Sequence, residues 1–144
     1  MTCLKVLMMI NIFVSLAMGM GRGKKLTISA ISGLEFGELV QGDPIKVIQP
    51  GTRENPYNAS FLVSGKRYTT YSIILPTSSQ LSFSGGGDFH LIISNFQSYP
   101  PEGFNGLLNR RGKQRIYVGA SIGPLSFSQP SGNYSGDFVI EVIY

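Results

Sequence analysis

The sequence predicts an all-β protein, a sandwich or barrel of short strands, preceded by an apolar leader. Three observations predict it. After Lys25 nearly every apolar stretch is short, rich in β-branched or aromatic residues, and bounded by turn residues. No stretch beyond the leader sustains an apolar repeat of 3.6 residues, so no long helix is expected. Charged residues make up only 14% of the 144, alongside 18 glycines and 8 prolines. A helical bundle needs charged outer faces, whereas strands joined by tight turns accommodate this composition.

The leader comes first. In MTCLKVLMMINIFVSLAMGMG, Lys5 precedes an apolar run from Val6 to Met18, interrupted only by Asn11 and Ser15 and followed by Gly19 and Gly21. A charged head, an apolar middle and a small-residue end are the layout of a secretory signal, with the cut expected after Gly19 or Gly21. The run falls short of the roughly 20 apolar residues of a bilayer span; a retained anchor is the alternative. The chain is thus expected to divide into a signal peptide, residues 1–21, and one domain, residues 22–144, exported to the periplasm, cell surface or exterior. The only cysteine, Cys3, falls in the leader. The domain carries no thiol, and its stability must come from packing and strand pairing.

The strands follow in order. Residues 26–31 alternate, with Leu26, Ile28 and Ala30 on one face, and Gly33 breaks the run. Residues 34–40 form a second strand, ended by Gln41-Gly42-Asp43-Pro44; residues 45–49 form a third, closed by Pro50-Gly51. Further strand signals lie at 59–64, 70–75, 80–84, 88–94 and 114–121, separated by Gly65-Lys66, Pro76-Thr77, Gly85-Gly86-Gly87 and a long loop at 99–112. The last strand, residues 134–144, puts Tyr134, Gly136, Phe138, Ile140, Val142 and Tyr144 on one face. Deleting residues 138–144 is expected to prevent folding. Phe36, Phe61, Tyr71, Phe89, Phe96, Tyr117, Tyr134, Phe138 and Tyr144 are the expected core, with Gly33, Gly37 and Gly136 at backbone-critical points.

Few patterns along the same path suggest chemistry. Gly119-Ala120-Ser121-Ile122-Gly123 fits the pattern of a nucleophile elbow, but Pro124 follows at once, no helix is indicated, and the only histidine, His90, precedes the serine. One histidine and no domain cysteine cannot make the usual zinc site, and the eight carboxylates lack the close spacing of a calcium loop. His90 reads as an outward residue on its strand, and Glu35 and Glu38 as solvated strand charges. Asn58-Ala59-Ser60 and Asn133-Tyr134-Ser135 match the N-glycosylation triplet. Neither catalytic residues nor a cofactor or metal site is expected, nor a nucleic-acid or small-molecule partner. The formal charge is +4, and the cations cluster: Arg22, Lys24 and Lys25; Lys66 and Arg67; and Arg110, Arg111, Lys113 and Arg115. The last four are the candidate anion-binding residues, with solvated turn and edge charges as the plain alternative.

The ordered landmarks Ile31-Ser32-Gly33-Leu34-Glu35-Phe36-Gly37, Gln49-Pro50-Gly51-Thr52-Arg53, Ala59-Ser60-Phe61-Leu62-Val63-Ser64-Gly65 and Tyr71-Ser72-Ile73-Ile74-Leu75-Pro76 carry a resemblance. So do residues 91–96, Ile116-Tyr117-Val118-Gly119-Ala120 and Gly132-Asn133-Tyr134-Ser135-Gly136-Asp137-Phe138. Together they resemble the secreted bacterial proteins grouped as domain of unknown function 4402 (DUF4402). The resemblance implies an all-β, immunoglobulin-like antiparallel sandwich, exported in a Gram-negative type of host, with no assigned activity. The terminal strands also look like those of spore-coat and fimbrial subunits, which makes residues 24–31 a candidate donor strand for a neighbour. The expected function is that of a non-enzymatic surface or structural domain, self-associating through edge strands as a fimbria-like or coat-like subunit. The alternative is a module that binds anionic glycan or envelope lipid through residues 110–115.

Overall fold

Alternation of apolar and polar residues becomes twelve strands and no helix among the described residues, which in this computed structural model are Cys3–Leu7 and residues 24–144. The expected cleavage sites at Gly19 and Gly21 lie outside them. The strands are β1 (Cys3–Leu7), β2 (Thr27–Ser32), β3 (Glu35–Val40), β4 (Lys46–Ile48), β5 (Ala59–Ser64) and β6 (Thr70–Ile74). They continue as β7 (Ser78–Phe83), β8 (His90–Tyr99), β9 (Gly103–Leu107), β10 (Lys113–Ile122), β11 (Asn133–Ser135) and β12 (Glu141–Ile143). Nine strands make one sheet in the order β2-β5-β10-β8-β7-β11-β1-β3, with β4 paired to β10 alongside β5; β12-β6-β9 make the other. Every pairing is antiparallel except that of β1 with β11.

Both sheets contribute to one core. Phe61, Val63, Ile116 and Val118 of the larger sheet and Tyr71, Ile73 and Val142 of the smaller are fully buried in the same cluster. Burying each such side chain contributes about 1.5–3 kcal/mol relative to leaving it exposed, which is how a domain without thiols holds together. Phe138 packs on two rings of the larger sheet, edge-on to Phe61 at 6.1 Å and tilted against Phe96 at 5.1 Å. A polar tie joins the sheets: the Gln114 side-chain oxygen on β10 accepts from the Tyr71 hydroxyl (2.6 Å) and from the Leu107 amide (2.9 Å). Burial pushes the Tyr71 phenol well above the ordinary tyrosine range.

Several expectations are corrected. The single last strand is two: β11 pairs with β7 in the larger sheet, and β12 pairs with β6 in the smaller. The inward alternation nonetheless survives the crossing, since Tyr134, Phe138, Ile140 and Val142 are all buried. Gly136 allows the crossing, because a Cβ there would overlap the Gln80 carbonyl oxygen. The expected loop at 99–112 contains β9, whose Gly106 lies against the Tyr71 ring. Phe89, expected in the core, is 47% exposed and packs edge-on against Phe83, whose amide donates to the Phe89 carbonyl (3.0 Å) just before β8 begins. Tyr117 and Tyr144 are only partly buried. Gly37 does hold a special conformation (φ +73°), at the point where the β1–β3 register shifts. That bulge lets Phe36 and Leu39, three residues apart, both turn inward. Gly33 is not among the positive-φ glycines.

Candidate functional site

The four candidate cations fall on a hairpin and separate. Asn109 shapes the β9–β10 turn: its side-chain oxygen accepts from the amides of Arg111 (2.8 Å) and Lys113 (3.0 Å), and its carbonyl accepts from Gly112 (2.9 Å). Arg110 and Arg111 form the exposed tip, and Lys113 opens β10. Arg115, two residues on, leaves the group and pairs with Glu54 at 3.4 Å.

Other cations join the remaining three. The Gly65 amide donates to the Gly112 carbonyl (2.8 Å) and the Tyr68 amide to that of Leu108 (3.1 Å), which brings Lys66 and Arg67 beside the hairpin. The Tyr144 hydroxyl accepts from the Lys66 amide (3.0 Å) and donates to the Lys24 carbonyl (2.8 Å), which brings Lys24 and Lys25 to the same end. Lys24, Lys25, Lys66, Arg67, Arg110, Arg111 and Lys113 are all exposed, and the segments that carry them contain no acidic side chain. Seven cations at one end make a surface of positive potential that attracts anions over about a Debye length, roughly 8–10 Å at ordinary salt. The sequence displayed each cluster; their assembly comes from the β2–β5–β10 pairing, which no local signal encodes.

The remaining candidates lie elsewhere. Ser121 is buried within β10, flanked by Val47 on β4 and Ser94 on β8, and does not stand on a strand-to-helix elbow. His90 is exposed at the start of β8, and Glu35 and Glu38 are exposed on β3. Asn58 is only 1% exposed, and its amide donates to the carbonyls of Pro50 (2.7 Å) and Arg53 (2.9 Å), so the first glycosylation triplet is occupied in holding a turn. An open depression of about 280 Å³ is lined by Pro50, Leu75, Phe96 and Glu102 among others, and the Glu102 carboxylate accepts from the Leu75 amide there. Among the described residues no group of three His, Cys, Asp or Glu side chains is placed to hold a metal ion, and no helix is long and apolar enough to cross a membrane.

Two sheet edges stand out. β9 has one ladder neighbour, β6, and carries no charged residue; Phe104 and Leu107 on it are 62% and 52% exposed. β2 has one neighbour, β5, and is also uncharged, with Ile31 exposed. β2 is laid into its own domain against β5, with Leu26 and Ile28 buried, so donating residues 24–31 to a neighbour would require drawing them out of that place.

No curated protein and no solved structure matches the chain. A family model does, described as "Domain of unknown function (DUF4402)", over residues 26–144. The matched span takes in β2 to β12 and leaves β1 outside it. The chain belongs to the DUF4402 family.

Proposed function

We propose that this protein is an exported, non-enzymatic structural domain of the cell envelope, immunoglobulin-like and pilin-like in plan, which works by strand-mediated association as a subunit of a fimbria-like or coat-like assembly. Residues 1–21 are its removable signal peptide. The observation that carries the reading is the outer edge of β9, uncharged and bearing Phe104 and Leu107 in the open. Monomeric proteins ordinarily blunt such edges with charged side chains, and β9 carries none; its bulge against β6 leaves the exposed Phe104 and Leu107 to recruit another chain. Sedimentation of the exported protein over a range of concentrations tests it. Reversible association is expected, and Phe104→Lys with Leu107→Lys should abolish it while leaving the melt intact. A monomer at every concentration refutes it.

The cationic end favours a second reading, a module for polyanionic envelope glycan or lipid headgroups. Its observation is the gathering of three separate basic segments around the Gly65–Gly112 contact and the Tyr144 hydroxyl. Retention on an immobilised sulfated polysaccharide should fall with added salt. It should be lost when Arg110, Arg111, Lys113 and Arg115 become serine, with Arg115 contributing least because Glu54 already holds it.

A further inference from the structure

β1 occupies an unusual place. It is an interior strand of the larger sheet, parallel to β11 on one side and antiparallel to β3 on the other. Among the described residues it is also the only strand to which β3 is paired. The register sets Leu4 level with the buried Leu39, Val6 level with the buried Tyr134, and Lys5 level with the exposed Glu38 and Asn133. Yet β1 lies within the proposed signal peptide and outside the family domain, which begins at residue 26. Export therefore removes a central strand and leaves a lane two strand spacings wide, roughly 10 Å from β11 to β3.

The lane does not close by itself, because β3 is anchored independently of β1. The Glu35 amide donates to the Tyr57 carbonyl (2.9 Å), and the Val40 amide to the Asp43 carboxylate (2.8 Å). The Gly42 amide donates to the Leu125 carbonyl (3.0 Å), and the Leu125 amide returns a bond to Asp43 (2.9 Å). Phe36 and Leu39 are sunk in the core. Moving β3 against β11 would break these ties and expose both side chains. Leaving the lane empty would strand two rows of backbone donors and acceptors beside an opened core.

We propose that this lane receives an extended strand from another exported polypeptide, and that Cys3–Leu7 holds the place until the leader is cut; the proposal rests on the signal-peptide reading above. The incoming strand runs parallel to β11, presents apolar residues at the levels of Leu39 and Tyr134, and carries a basic residue opposite Glu38. A second copy of this chain does not fit the role. After the cut only residues 22–26 precede β2, and Lys24 is already tied to Tyr144. The mode is β-strand addition, in which the ladder supplies affinity and alternate side chains supply specificity.

The test uses the full chain made by cell-free synthesis without membranes, with a protease site inserted after Gly21. The probe is a fluorescent synthetic peptide of residues 1–8, read by anisotropy before and after cutting. The cut protein should bind it saturably while the uncut chain does not. A probe carrying Leu4→Asp and Val6→Asp should bind at least tenfold more weakly, and Glu38→Lys in the protein should weaken the unaltered probe several-fold. If the cut chain loses its cooperative melt and the probe restores it, the proposal stands equally. Equal binding to cut and uncut chain, no binding to a folded cut chain, or self-assembly of a cut chain that carries Phe104→Lys and Leu107→Lys, which closes the β9 edge, overturns it. N-terminal sequencing of the exported protein separates the two premises. A mature end at Met1 refutes the signal-peptide reading and the proposal with it, whereas a mature end at Met20 or Arg22 with no probe binding refutes the proposal alone.

Discussion

Replacing Tyr71 by phenylalanine tests whether the polar tie at Gln114 fastens the two sheets. The Tyr71 side chain is fully buried, and its hydroxyl donates to the Gln114 oxygen at 2.6 Å. In Tyr71→Phe that oxygen still accepts from the Leu107 amide at 2.9 Å, so nothing buried is orphaned. The cost should be that of one ordinary bond, about 1 kcal/mol. Gln114→Leu instead strands a buried hydroxyl, which adds about 1–3 kcal/mol of desolvation to the lost bond. The order is therefore fixed: Gln114→Leu is the more damaging. Adding Tyr71→Phe to Gln114→Leu should then cost nothing or restore stability, because the orphan is gone. The pH dependence has a definite sign. Burial raises the folded-state pKa of Tyr71, and the unfolded phenol ionises near the ordinary value of about 10. The unfolded state thus loses its proton first. The stabilisation is complete below about pH 10 and declines above it by about 1.4 kcal/mol per pH unit. Urea denaturation of the purified protein and Tyr71→Phe between pH 8 and 11 measures this. The advantage of tyrosine over phenylalanine should shrink, then reverse, above about pH 10. A difference that stays constant over that range refutes the reasoning.

Three further outcomes follow from the packing. Phe138→Ala removes a ring in contact with Phe61 and Phe96 and should cost about 3–5 kcal/mol, read as a lowered urea midpoint with an unchanged slope. Gly136→Ala places a methyl group against the Gln80 carbonyl oxygen, a backbone atom that cannot rotate away, and should cost about 2–3 kcal/mol or more in the same assay. Glu54→Gln breaks the pair with Arg115, whose partners are each nearly half exposed, and should change stability by less than about 1 kcal/mol, less still at high salt.

What the sequence disclosed, it disclosed through alternation. Residues 59–64 read as a strand and are one, because Ala59, Phe61 and Val63 all face inward against β10. Alternation reports burial, however, and not the partner. Residues 134–144 keep their inward rhythm while passing from one sheet to the other, so the crossing at Gly136 left no trace in the pattern. β9 was hidden for the opposite reason. Gly103-Phe104-Asn105-Gly106-Leu107 has the composition of a loop, yet Gly106 is there because the Tyr71 ring occupies the space a side chain would need. The basic segments were each visible, but their union depends on Tyr144 reaching Lys24 and Lys66, a contact between residues 120 and 78 positions apart. β1 was illegible because Lys5 and the apolar run after it have the pattern of an export leader, which masks the alternation of so short a strand.

The two ends of the larger sheet are therefore built on different physical terms. At the cationic end the chain changes sheets twice, between β5 and β6 and again between β9 and β10. Where a ladder stops, its backbone groups need new partners, and the Gly65–Gly112, Tyr68–Leu108 and Tyr144 bonds supply them. The loops that carry Lys66, Arg67, Arg110 and Arg111 are consequently fixed at their bases although their tips are exposed, so an anion meeting them loses little loop entropy on binding. At the other end β3 is held by turns and by two core side chains, while its one ladder partner among the described residues is a segment the family domain does not include. A rigid charged surface suits reversible attraction, whose strength salt can tune. A lane of unsatisfied backbone suits a durable junction, since ladder bonds and buried side chains form together and must break together. The proposed function needs both, and this fold keeps them on separate strands, so that either can be altered without undoing the other.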